Sequence, residues 1–211
     1  MKQMMDFLTN YGGQLLLKTW EHLYISALSV ALGIIVAIPL GALLSRGRKV
    51  SDVVMRIVGF LQTVPSLALL SLMIPVFGIG KAPAIAALFL YSLLPILRNT
   101  YAGLTNVDVL YADVAKGMGM SSIQSLIQVE LPLALSVIMA GIRISCVYVI
   151  SWTTLAAYIG GGGLGDFIFQ GLTLYRTDLL LMGTIPVTLL ALIIDFLLKK
   201  LEQAMDKRVR G

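Results

Sequence analysis

Three groups of residues in this chain have types and spacings that could act on a ligand or a partner. The first is aromatic. Tyr91, Tyr148, Trp152 and Tyr158 all lie in long apolar stretches. An aromatic face attracts a permanent cation by about 0.5–2 kcal/mol per ring. Tyr148 and Trp152 are four residues apart and so share one face of a helix. That face either lines a passage for a cation, or its rings pack helices or sit in an interfacial belt. The second group lies in the polar connection from about Asn99 to Glu130. Val109–Gly117 is compatible with a short amphipathic helix, which Gly117 and Gly119 break. Ser121 is an expected N-cap for a second helix, with Gln124 at the capping-box position. Pro132 then belongs in a first turn or at a bend. The third group is Gly160-Gly161-Gly162-Gly163-Leu164-Gly165-Asp166. Glycines permit close backbone approach and unusual dihedrals, which serve either a gate or a tightly packed re-entrant loop.

Other chemistries find no support. The one cysteine, Cys146, can form no internal disulfide and no cysteine-rich cluster, and one isolated histidine, His22, does not seed a zinc site. His22 is expected at the outer membrane boundary as an interfacial residue, with no serine–histidine–acid arrangement around it. No Gly-x-x-x-x-Gly-Lys-Ser/Thr loop occurs. Gly78-Ile79-Gly80-Lys81 is followed by Ala82 at the wrong spacing and reads as a turn. The chain itself is therefore expected to bind neither ATP nor a metal, and not to be an enzyme.

The elements that must hold these residues follow from composition. Of 211 residues, 58% are hydrophobic and 13% charged, and the mean hydropathy is +0.90. Soluble domains run at about 45–50% apolar and about 25% charged, and disorder requires low hydrophobicity. What remains is an all-α polytopic membrane protein. A helix crosses the hydrocarbon with about 20 apolar residues. Leu23–Ser45, Ile57–Gly80 and Ala82–Leu97 are uncharged. Leu131–Gly165 carries only Arg143, and Leu179–Leu198 carries only Asp195. These make five spans, the first retained rather than cleaved as a signal peptide, since its positive charges follow it. Spans two and three are joined by a tight turn over Phe77–Pro83. Span four is expected to end near Tyr158, with the glycine run starting a loop or a broken re-entrant piece. Gly33, Ala37 and Gly41 form a small-residue stripe on span one, read as ordinary helix packing. Arg143 and Asp195 either pair between spans four and five, or Arg143 snorkels or faces water while Asp195 meets Lys199.

Basic residues orient the spans. Arg46, Arg48, Lys49, Arg56, Arg98, Lys116, Lys199, Lys200, Lys207, Arg208 and Arg210 fall on one side. Lys2, Lys18, Lys81 and Arg176 fall on the other. The first side is expected to be cytoplasmic, with the N-terminus outside and the C-terminus inside. The net charge of +5 is thereby topogenic, with a secondary role toward anionic lipid and none toward nucleic acid. The expected organisation is an extracytoplasmic segment 1–18, a transmembrane domain 19–198 with its cytoplasmic loop at about 106–130, and a basic cytoplasmic tail 199–211.

Asp113-Val114-Ala115, then Gly119, then Leu131-Pro132 resemble the signature loop of importer permeases of the ATP-binding-cassette class. Asp stands for the usual Glu and Val for the first Ala, which keeps acidic and small-apolar character. The resemblance implies that Asp113, Val114, Ala115, Gly117, Gly119, Met120, Ser121, Leu131 and Pro132 form a coupling helix and its joint. In the family a short lever with small residues at its tip docks in a groove of the ATPase. Gln62-Thr63-Val64-Pro65-Ser66, Phe77-Gly78-Ile79-Gly80, Leu94-Pro95-Ile96-Leu97-Arg98-Asn99-Thr100 and Ile159–Asp166 are similar to osmoprotectant permeases, above all the glycine betaine, carnitine and choline permeases of Gram-positive bacteria. The glycine motif is less discriminating, because methionine importer permeases carry a similar one.

The likeness covers about residues 19–198. It implies a bacterial plasma-membrane permease that moves quaternary ammonium osmoprotectants by alternating access. It also implies two cytoplasmic ATPases carrying ATP and Mg, a second permease copy, identical or homologous, and an external solute-binding protein. The chain ends shortly after span five with no soluble capture domain, so that binding protein is expected to be separate. The rival cargo is methionine or another small amino acid, and the rival class is an ATP-independent channel or carrier.

Overall fold

The computed structural model describes the backbone of residues 2–210 and the side chains of 11–47 and 50–206. Met1 and Gly211, the outer ends of the two expected terminal segments, lie outside the described residues. So do the side chains of Lys2, Arg48, Lys49, Lys207, Arg208 and Arg210. The described residues form helices and contain no strand.

α1 (Lys2–Leu44) is one unbroken helix of 43 residues. At about 1.5 Å per residue it is longer than the hydrocarbon is thick, so no break marks the expected boundary at residue 18. Span two departs from the expectation of one simple crossing. It is two helices, α2 (Arg48–Leu61) and α3 (Ser66–Phe77), bent by 94°. Pro65 explains the bend. It offers no N–H to continue α2, and it disfavours helical backbone at Val64. Its own dihedrals, φ −55° and ψ 136°, are those of an extended residue opening a new helix. Length and hydropathy register no bend inside an uncharged run. Among the described residues, four helices are long and apolar enough to cross a membrane, and the bent pair makes a fifth candidate crossing.

α4 (Lys81–Thr105) starts inside the turn expected over Phe77–Pro83, whose last three residues are already helical. The Gly80 N–H donates to the Ile159 carbonyl at 3.0 Å, which ties this turn to the end of span four. The cytoplasmic side of the expected topology holds α5 (Val109–Gly117) and α6 (Ser122–Ser125). A π-helical turn, Leu126–Glu130, runs directly into α7 (Leu131–Thr153). A 3-10 segment, Thr154–Ile159, carries the helix one residue past Tyr158. α8 (Gly165–Thr173) and α9 (Thr177–Arg210) form a hairpin whose turn holds Tyr175 at φ 55°.

α4 is the central post. Its buried face packs on α1 and α7 through Ala37, Leu94, Ile96, Leu97, Ala134 and Ile138. In lipid such contacts depend on close fit and on interhelical hydrogen bonds, because the tails are as apolar as the side chains. The small-residue stripe of α1 supplies the fit, with Gly33 against Ser92 and Gly41 against Thr100. Hydroxyls supply the bonds. Ser145 donates to the Ser92 carbonyl at 3.2 Å, and Ser26 and Thr153 share a hydrogen bond of 2.9 Å. Ile35, Phe60, Leu72 and Leu192 turn outward, as a lipid-facing surface requires.

Candidate functional site

The expected coupling loop is an exposed, locally capped lever. Asp108 caps α5 by accepting from the Leu110 N–H at 2.9 Å. α5 ends in a Schellman arrangement: the Met120 N–H reaches the Ala115 carbonyl and the Gly119 N–H reaches that of Lys116. The residue that turns the chain there is Gly119, at φ +82°. Ser121 and Gln124 then form the reciprocal capping box, with 2.8 Å from the Ser121 N–H to Oε1 and 3.3 Å from the Gln124 N–H to Oγ. Ala115 is buried, whereas Val114, Met118 and Ile123 are exposed at 54%, 71% and 69%. Asp113 stands outside beside Lys116, 3.8 Å away. An apolar tip that none of the described residues covers, held by caps at both ends, can enter a groove without first being ordered. Leu131 and Pro132 sit in the first turn of α7, directly after the π-helical turn.

Three of the four aromatic candidates come together. Trp152 meets Tyr91 edge-on at 4.5 Å and stacks on Tyr148 at 5.7 Å. Tyr91 is buried, and its hydroxyl donates to the Val64 carbonyl at 2.6 Å. The Gln62 amide donates to the Tyr91 carbonyl at 3.2 Å. These two bonds latch the bend between α2 and α3 against α4. Tyr148 is half exposed, so the stack reaches the surface of α7. Tyr158 lies apart, beside Phe169 at 5.8 Å.

The glycine run forms a folded strap against the middle of α1, beside Glu21 and His22. Gly160, Gly162 and Gly163 have positive φ, and Leu164 is fully buried at the start of α8. The Gly163 N–H donates to Glu21 at 3.2 Å. Glu21 also holds Lys18 at 3.0 Å and Lys81 at 2.9 Å, and Lys18 reaches Asp166 at 2.6 Å. One carboxylate thus ties α1, α4 and the strap together. Asp166 was among the expected residues of this loop; the roles of Lys18, Glu21 and Lys81 were missed, because the links to Asp166, to Lys81 and to the Gly163 N–H join distant parts of the chain, and only Lys18–Glu21 lies within one helical turn.

Residues 29–207 match the family of binding-protein-dependent transport system inner membrane components. The chain belongs to that family. It is 56% identical over 208 residues to the carnitine transport permease protein OpuCB of Listeria monocytogenes, covering 99% of this chain and 95% of that protein. It is 54% identical over 208 residues to the glycine betaine/carnitine/choline transport system permease protein OpuCB of Bacillus subtilis, covering 99% and 96%. Its fold is similar to a chain of the MetNI methionine ABC transporter in an inward-facing conformation, with a TM-score of 0.84 and 23% identity over 97% of this chain and 99% of that one. At that identity the likeness is one of fold alone. The permease is accordingly a multi-pass plasma-membrane component of an importer. The family implies an ATPase and a solute-binding protein as partners, with hydrolysis on the ATPase.

Within the permease, the intramembrane charges pair as one of the two expected alternatives had it. The Arg143 fork meets both Asp195 oxygens, at 2.6 and 3.2 Å, and Nη1 reaches Glu202 at 3.4 Å. This joins α7 to α9, and Glu202 is a third member that the sequence reading missed. His22, expected near the outer boundary, is fully buried within the protein, with Nε2 donating to the Ile150 carbonyl at 2.9 Å. It faces inward because the close approach of α1 and α7 encloses it. Another missed pair, Arg46 with Glu130 at 2.7 Å, stands where the lever joins the spans. Among the described residues, no three His, Cys, Asp or Glu side chains come together as a metal site.

Proposed function

We propose that this chain is the permease subunit of an ATP-driven importer for quaternary ammonium osmoprotectants, of which glycine betaine, carnitine and choline are the candidates. The observation that carries the cargo class is the identity of 56% and 54%, over 99% of the chain, to permeases named for those solutes. The stacked rings of Tyr148 and Trp152, with Tyr91 edge-on to Trp152, agree with it chemically. A trimethylammonium group cannot shed its charge, and aromatic faces offer attraction without a tight ionic grip. Weak holding suits a passage fed by a separate binding protein.

In this reading ATP-driven closure of two ATPase subunits pushes on Asp113–Ser121, and the spans rock between inward-open and outward-open states. A second permease subunit completes the passage. The glycine strap, with Gly160–Asp166 clamped by Glu21, serves as the outer gate at the dimer axis. The distribution of Lys and Arg supports an outside N-terminus and a cytoplasmic C-terminus. ATP and Mg belong to the partner subunits.

The test is uptake of labelled glycine betaine, carnitine and methionine at high osmolarity, with and without this chain, the ATPase partner being present in both. Loss of betaine or carnitine uptake alone is the expected result. Loss of methionine uptake alone overturns the cargo class. For the passage, Trp152→Leu is expected to raise the half-saturating betaine concentration about tenfold, the scale of one well-placed cation–π contact. Trp152→Phe should recover most of the loss. Wild-type kinetics in Trp152→Leu would place the passage elsewhere.

A further inference from the structure

We infer that the Arg46–Glu130 ion pair is a positioning contact that carries movement of the coupling loop into the α1–α2 corner as well as into α7. This rests on the coupling reading above, and extends it to a residue pair outside the signature loop.

Glu130 is the last residue of the π-helical turn and the first before α7. It is a carboxylate at 6% exposure. One of its oxygens, Oε1, accepts from Arg46 Nη2 at 2.7 Å and from the Ser125 hydroxyl at 3.0 Å. A buried carboxylate is costly unless a cation and hydrogen bonds attend it. Arg46 is therefore committed to this site although its own side chain is 47% exposed. Arg46 stands in the tight turn between α1 and α2, 84 positions from Glu130 in the chain.

The placement gives the pair a mechanical role. A push on α5 and α6 reaches α7 through the covalent chain, but it reaches α1 only through contacts. Between the end of α1, the end of α4 and α5 lies a cleft of about 310 Å³, lined in part by Ser45, Leu104, Asp108, Ala112 and Lys116. Arg46 and Glu130 both border that cleft and close on each other across one edge of it. The joint beneath them is a π-helical turn, a strained form that recurs at functional positions in helices. From the α1–α2 corner, α2 leads to the bend at Gln62–Pro65, which Tyr91 latches beside Trp152. The pair thus connects the lever to the helix that ends at the aromatic face. A strut made of one short charged contact suits this task, because it holds direction without filling the cleft.

The experiment uses the whole complex, with its ATPase and binding protein, reconstituted in liposomes. Labelled glycine betaine uptake and phosphate release are measured together for wild type, Arg46→Gln and Arg46→Lys. The expected result is that Arg46→Gln retains ATPase assembly and basal hydrolysis, while betaine moved per ATP falls about tenfold, within the range of couplings along such contacts. Arg46→Lys, which keeps the charge, should recover most of the ratio. Glu130→Gln, near-isosteric with the native residue, should lower the ratio in the same direction. An unchanged betaine-to-ATP ratio in Arg46→Gln overturns the inference. So does a parallel fall of uptake and hydrolysis, which would make the pair a purely structural stitch. If wild type itself takes up no betaine on ATP, the importer reading fails and the strut fails with it.

Discussion

Gly119→Glu is expected to abolish osmoprotectant uptake while the chain still inserts and accumulates in the membrane. Two effects combine at this position. Gly119 turns the chain at φ +82°, where an L-residue is strained by about 1–2 kcal/mol. A Cβ there meets no atom of this chain within 4 Å. The cost to the isolated permease is therefore strain alone, and too small to unfold four packed spans. The larger effect lies outside the chain. The glutamate would stand on the exposed tip formed with Val114 and Met118, and docking would bury its charge without a partner, at a cost of several kcal/mol. Uptake is expected to fall at least about a hundredfold at unchanged membrane abundance. Gly119→Asn, which tolerates the left-handed region and adds no charge, should stay within about tenfold of wild type. Normal uptake by Gly119→Glu at normal abundance would remove the coupling role of Asp113–Ser121.

Gly165→Val is expected to fail earlier, at assembly of the spans. A Cβ on Gly165 would lie 2.0 Å from the Thr154 carbonyl oxygen and 2.8 Å from its carbon. Both obstacles are backbone, so no side-chain rotation relieves them. The start of α8 must then leave the 3-10 segment Thr154–Ile159. That opens the cluster of Leu164, Phe167, Leu179 and Met182 between α8 and α9. Overpacking of a fitted core costs about 1–3 kcal/mol where side chains can yield, and more where they cannot. Membrane abundance should drop at least about tenfold, with uptake falling in proportion. Gly12→Ala is the control, since nothing lies within 4 Å of a Cβ there. Wild-type abundance and thermal melting in Gly165→Val would mean that α8 does not sit against Thr154 in the membrane.

The two positions differ in how they could be read from sequence. Gly119 was singled out by its spacing from Ala115 and Leu131, and the helix it ends, Val109–Gly117, has the expected bounds. The capping box of Ser121 and Gln124 formed as expected because both partners lie within one turn. The turn before α4 and the end of span four near Tyr158 are legible for the same reason. Gly165 was expected in a gate or a tightly packed loop, but nothing local says that it abuts Thr154. The intramembrane pair Arg143–Asp195 was legible as one of two possibilities, because lone charges in hydrocarbon must find partners. Which partner each would take depended on how α7 and α9 pack.

Composition, charge placement and short-range spacing determined the class of this protein, its apolar stretches and the caps of its lever, since these depend on transfer into lipid and on contacts within a few residues. Tertiary structure alone decided the 94° angle between the helices that flank Pro65, the burial of His22, the meeting of Tyr91 with the Trp152–Tyr148 pair, and the long-range Glu21 and Arg46–Glu130 pairs. Each of these is a direction in space or a contact across many residues. Both are set when α1 and α7 close on α4, and neither leaves a periodicity in the chain.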